Sequence, residues 1–125
     1  MLVLRPGSVG DDLDAVTPAL TGAFAGAREA LEAGRPVVVV VEARDLLGQG
    51  SPLDAAVATG LLGMVRTLAI EGAKPGWRIN LIAAGGDGDD GDEGAVEETI
   101  DLLGAARFSG QVLQLGGANL GKVVP

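Results

Sequence analysis

The alternation of apolar and polar positions divides the chain into seven segments. Leu2-Val3-Leu4 is a short apolar run stopped by Pro6-Gly7, and it reads as a strand. From Asp11 to Glu32 the period is helical, with Leu13, Val16, Leu20, Ala23 or Phe24, Ala27 and Leu31 on one stripe. Pro18 lies inside that pattern. It predicts Thr17 as a helix cap with Pro18 in the first turn, and Asp11–Val16 as a separate turn. Gly34 supplies the stop. Pro36 to Val41 contains five consecutive valines and is polar on neither face. Such a strand suits the centre of a parallel sheet covered by helices on both sides. Ala43–Gly50 reads as a loop. Ser51 then opens a second helix with Pro52 at its first position. Leu53, Val57, Leu61, Met64, Val65 and Leu68 give that helix an apolar face. After the turn Lys74-Pro75-Gly76, Trp77–Ala83 alternates as a strand. Ala95–Leu103 reads as a short helix, and Gln111–Leu115 as the last strand before a Gly-rich tail.

Strands alternating with helices imply an α/β fold: a small parallel sheet of about four strands with flanking helices and right-handed crossovers. The chain is long enough for one domain, residues 1–125, and not comfortably for two. The predicted unit looks one-sided, and Leu2–Leu4 is its expected edge. An apolar edge strand invites pairing with another chain. Aromatic residues are only 2% of the chain, so the core is built from Val, Leu, Ile and Ala. The 21 glycines let those small side chains approach closely.

Charge and missing residue types narrow the chemistry. The chain lacks Cys and His, which removes disulfides, thiolate metal sites, the commonest general base and the commonest metal ligand. Net charge is −8, which argues against nucleic acid and anionic membranes as partners. The excess is local: Asp87, Asp89, Asp90, Asp92, Glu93, Glu97, Glu98 and Asp101 lie in one segment without a base. Residues 85–94 are expected to form a flexible, solvated acidic loop. Starting from Asp87, the calcium-loop pattern breaks at Gly91, so no metal is assigned there. The N-terminal apolar run is too short for a signal peptide and Val37–Val41 too short to span a membrane. The expectation is a cytoplasmic protein.

Several segments together resemble one family, the short-chain dehydrogenases/reductases, over the C-terminal half of its Rossmann fold. MLVLRPG is similar to the family's fourth strand and the turn after it. Ala19-Leu-Thr-Gly-Ala-Phe24 resembles the stretch Asn-Leu-x-Gly-x-Phe, and GLLGMVRTLAIEGA the helix following a Tyr-x-x-x-Lys motif. WRINLIAAG and SGQVLQLGG are similar to the family's last two strands. The resemblance implies a partial Rossmann fold without the N-terminal, nucleotide-binding half. No Gly-x-x-x-Gly-x-Gly turn follows a first strand here.

The functional positions depart from the family. Aligned on Gly63, the catalytic Tyr falls on Asp54 and the Lys on Ala58. The active-site Asn falls on Ala19, and the Ser near Val41 or Glu42. A carboxylate beside an alanine cannot reproduce a phenol acid with a neighbouring ammonium. The resemblance therefore implies a pseudoenzyme that binds no nicotinamide cofactor. Asp54 lies three residues after Ser51, the spacing of a capping box, which gives it a structural role at the helix start.

Both long helices also carry small-residue faces: Gly22, Ala23, Gly26 and Ala30 on the first, Ala56, Thr59, Gly60 and Gly63 on the second. Small faces allow close helix contact. In the resembled family the corresponding helices build a four-helix bundle between subunits. The expected function is association, as a homo-oligomer or as an accessory subunit of a full-length relative. The alternative is a small-molecule site for an amine or cation, in a re-shaped cleft at Asp54 and Glu42.

Overall fold

In a computed structural model, which describes residues 1–85 and 93–115, the chain forms one four-stranded sheet in the order β1-β2-β3-β4. The strands are β1 (Leu2–Leu4), β2 (Val37–Glu42), β3 (Ile79–Ala84) and β4 (Val112–Gln114), and every neighbouring pair is parallel. The helices are α1 (Val16–Glu32), α2 (Ala43–Leu46), α3 (Pro52–Glu71) and α4 (Glu93–Ala105). A small parallel sheet with flanking helices, of partial Rossmann type, is therefore the fold.

The valine run sits where its composition requires. Val37, Val38, Val39 and Val41 are each at most 4% exposed. Alternate side chains point to opposite faces of a strand. Val37, Val39 and Val41 meet α1 and α3 through Ala27, Leu31, Val57, Leu61, Val65 and Leu68. Val38 points the other way and joins Ile82 of β3 with Val96, Ile100 and Leu103 of α4. So α4 lies on the face opposite α1 and α3, and the one-sided unit expected from the sequence becomes a three-layer one.

That placement fixes a feature of the connections. The crossovers through α1, α3 and α4 all step the same way across the sheet. Two of their helices lie on one face and the third on the other. The third crossover therefore has the opposite hand to the first two, a departure from uniform right-handedness. The physical cause is the second face of the two central strands. Burying an aliphatic side chain such as Val38 or Ile82 is worth roughly 1.5–3 kcal/mol, and among the described residues α4 is the helix that covers it.

Several boundaries move from their expected places. α1 begins at Val16 with Ala15 as its cap residue, not Thr17, and no side chain caps it. Pro18 fits inside because the amide groups of a first turn have no acceptor within the helix. The turn before it is a 3-10 helix, Leu13–Ala15, capped by the Asp12 side chain. Leu13 and Phe24 point outward, at 69% and 41% exposure, so Ala23 takes the inner position. Part of the expected loop Ala43–Gly50 is the single turn α2. β3 starts two residues later than read and includes Ala84.

The three-residue β4 is held by side chains at its entry. Asn80, buried at 1% exposure, accepts the Gln111 amide at 3.0 Å and donates to the Phe108 carbonyl at 3.2 Å. Ser109 Oγ accepts the Ile79 amide at 3.0 Å. At the end of α3, the Trp77 side chain packs against buried Gly72; a Cβ there would sit 2.6 Å from Trp77 Cγ.

Two substitutions test these anchors by denaturant unfolding. Asn80→Leu leaves the Gln111 amide and the Phe108 carbonyl without their partner, at a cost of about 1–3 kcal/mol for each buried group left unpaired. Gly72→Ala overpacks against Trp77 and costs about 1–3 kcal/mol. Midpoints unchanged from the parent chain would contradict both contacts.

Candidate functional site

The carboxyl ends of parallel strands are where α/β folds hold ligands. In this chain the loop after β1 and the first turn of α3 meet at that end. Ser51 is the N-cap of α3: its hydroxyl accepts the amides of Leu53 and Asp54 at 3.2 and 3.4 Å. Its own proton goes to the Gly10 carbonyl at 2.8 Å. Asp54 completes the junction. One carboxylate oxygen accepts the Val9 amide at 2.7 Å and the other accepts the Ser8 hydroxyl at 2.7 Å. Ser8 Oγ in turn accepts the Gly10 amide at 3.1 Å. Gly10 turns the loop back with φ +57°, a conformation that glycine adopts without strain.

Half of the expected capping box is thus present. Ser51 caps as predicted, but Asp54 does not turn back to the Ser51 amide; it fastens a loop more than forty residues away in sequence. Ser8, Val9 and Gly10 are the partners that sequence reading missed. The available signal was the polar break Pro6-Gly7-Ser8 after a strand, which marks a turn but does not say what it touches.

The electrostatics follow from these contacts. Hydrogen bonds from Ser8 and from the Val9 amide hold the Asp54 carboxyl below its ordinary range, so it is ionised at neutral pH. Asp45, in α2, moves the other way. Its partial burial raises its pKa, and the Asp54 and Glu42 charges raise it further.

The remaining aligned positions divide between the core and the surface. Val41 and Ala58 are 4% and 3% exposed and belong to the core under α1 and α3, against which Ala19 packs. Glu42 is exposed at the end of β2. A general acid needs a proton to give; Asp54 is ionised and each of its oxygens accepts one hydrogen bond. Each oxygen retains a second lone pair. Among the described residues no cluster of three or more acids has the geometry to hold a metal ion. The acidic residues 86–92 and the Gly-rich residues 116–125 lie outside the described structure. A shallow cleft at the opposite end of the sheet includes Trp77, Arg78 and Ser109, but Arg78 Nη1 is spent on the Ala106 carbonyl at the end of α4, at 2.8 Å.

The small-residue faces divide into inner and outer parts. Ala30 is fully buried in the core, and Gly60 faces Leu20 of α1, so neither is open to another chain. Gly26 and Ala23 are half-buried. Gly22, Ala56, Thr59 and Gly63 are exposed, and a Cβ at Gly22 or Gly63 would meet nothing within 4 Å.

No protein-family model matches the chain, and a search of curated proteins finds no match.

Stability should report the Asp54 contacts through pH. A carboxyl with a lowered folded pKa contributes stability that is present above its unfolded value near 3.9 and is lost as pH falls through the folded value. Asp54→Asn should flatten the unfolding midpoint in that acid range. Asp45 has the opposite sign, so Asp45→Asn should raise stability at neutral pH. Ser51→Ala should cost about 0.5–2 kcal/mol. A parent-like acid profile in Asp54→Asn would contradict the assignment.

Proposed function

We propose that this chain is a non-catalytic protein of short-chain dehydrogenase type, a degenerate relative that works by association. Its working surface is the outer side of α1 and α3. A second copy docks there, or a full-length catalytic partner that the chain serves as an accessory subunit. The reading includes no cofactor, and it places the protein in the cytoplasm, a reducing setting suited to a chain without disulfides.

One observation carries this reading. α3 has a mean hydropathy of 1.5 over its most apolar window, yet only 33% of that window is buried within the fold. A core helix of a self-sufficient domain buries most of such a surface. The uncovered stripe, Ala56, Thr59, Gly63, Thr67 and Ile70, is exposed and carries no charge. Ile70 alone is 78% exposed. Beside it α1 exposes Thr21, Gly22, Phe24 and Ala25, and the charged Arg28, Glu32 and Glu71 border this surface at one end. A surface of mostly small side chains, with Phe24 and Ile70 as its larger apolar members, is suited to close helix contact. By length and composition α3 could also cross a membrane, but Val57, Ala58, Leu61, Leu62, Val65 and Leu68 pack it into the core.

The loss of chemistry points the same way. The aligned Lys, Asn and Ser positions carry hydrocarbon or an exposed acid, and Asp54 is consumed in fastening a loop.

Gly63→Arg tests the surface, because the new side chain enters open space in the single chain and a close contact in an assembly. The variant should keep its secondary structure and sediment as a single chain of about 12.4 kDa, while the parent sediments as a multiple of that mass. Equal masses for the two would overturn the proposed surface. Thermal-shift measurements with NADH and NADPH should show no change in midpoint; a reproducible shift or any hydride transfer would overturn the non-catalytic reading.

A further inference from the structure

The junction at the strand ends hangs on one exposed hydroxyl. Ser8 donates to Asp54 Oδ2 at 2.7 Å and accepts from Gly10, and the adjacent Val9 amide donates to Asp54 Oδ1. Ser8 is solvent-exposed in an irregular segment, and exposed Asp11, Asp12 and Asp14 follow it at three, four and six residues. Carboxylates downstream of a serine are what the basic substrate groove of an acid-directed protein kinase reads by charge complementarity. Ser51 also has an acid three residues on, Asp54, but its hydroxyl is half-buried and engaged with the Gly10 carbonyl and two helix amides.

We propose that Ser8 is a phosphorylation site, and that its phosphorylation releases the segment after β1 from the start of α3. The step transfers the γ-phosphoryl group of a nucleoside triphosphate. A bond forms between Ser8 Oγ and phosphorus, the bond to the bridging oxygen breaks, and the nucleoside diphosphate departs. The hydroxyl proton passes to the kinase. The product carries a charge of about −1.5 to −2 where a hydrogen-bond donor was, facing an ionised carboxylate. The helix start is already used, because Ser51 takes the Leu53 and Asp54 amides and Asp54 occupies the positive end of the helix; the cation near Asp54 is Arg44, for which phosphate and carboxylate would compete. Repulsion replaces attraction, and the Val9 bond to the same carboxylate opens with it. The proposal goes beyond the association reading and does not depend on it.

The test uses the full chain, an acid-directed serine/threonine kinase and ATP with Mg²⁺. Peptide mapping should place the phosphate on Ser8 and not on Ser51. Amide exchange at Val9 and Gly10 should then quicken on the order of tenfold or more, while exchange in β2 and β3 stays as in the unmodified chain. Ser8→Glu should reproduce the faster exchange. Adding Asp54→Asn to Ser8→Glu should slow it again, since the amide removes the repelling charge and offers a donor. Ser8→Ala should quicken exchange less than Ser8→Glu does. Absence of phosphate on Ser8, retained protection of Val9 after phosphorylation, or equal effects of Ser8→Ala and Ser8→Glu would each overturn the proposal.

Discussion

Burial of β2 on both faces is the constraint from which the rest follows. Five valines in a row leave no side that water can reach without cost. Val37, Val39 and Val41 draw α1 and α3 onto one face, and Val38 requires α4 on the other. A connection of unusual hand follows from that second demand. The edge strands are short by comparison, three residues each, and depend on their neighbours. β4 is fastened at its entry by Asn80 and Ser109. On the far side of the sheet, Arg5, just after β1, pairs with Glu97 of α4 at 2.7 Å, an exposed contact of small energetic weight.

The centre of the fold was legible from the chain because its signals are strong and local. A valine run with a proline before it has few other interpretations, and Ser51-Pro52 marks a helix start by two independent means. What escaped depends on contacts distant in sequence. Nothing near Pro18 says that Ala15 would be the cap, because a proline in the first turn fits several registers. Periodicity could not choose between Ala23 and Phe24, which flank the stripe about 100° apart; packing against the sheet chose the smaller one. The face taken by α4 is set by the unfilled side of β2, a property of the assembled sheet.

The candidate site divides along the same line. The aligned positions were readable as residue types: Ala19, Val41 and Ala58 without acid–base groups, Asp54 and Glu42 with carboxylates. The role of Asp54 was only half readable. Its spacing from Ser51 announced a helix start, but its partners Ser8 and Val9 lie 46 and 45 residues away in sequence. The small-residue faces were readable as a set but not as surfaces. Ala30 and Gly60 serve packing within the chain, while Gly63 and Thr59 stand in solvent. The proposed association rests on the exposed part of α3, of which only 33% of the most apolar window is buried within the fold.

The natural absence of cysteine allows that claim to be tested at a single position. Thr59→Cys places one thiol on the exposed stripe of α3, where a nitroxide spin label can be attached. Dipolar spectroscopy on the labelled chain should give one short intermolecular distance that vanishes on dilution with unlabelled protein. Isolated-spin behaviour at every concentration, with the mass of one chain, would contradict self-association through this face.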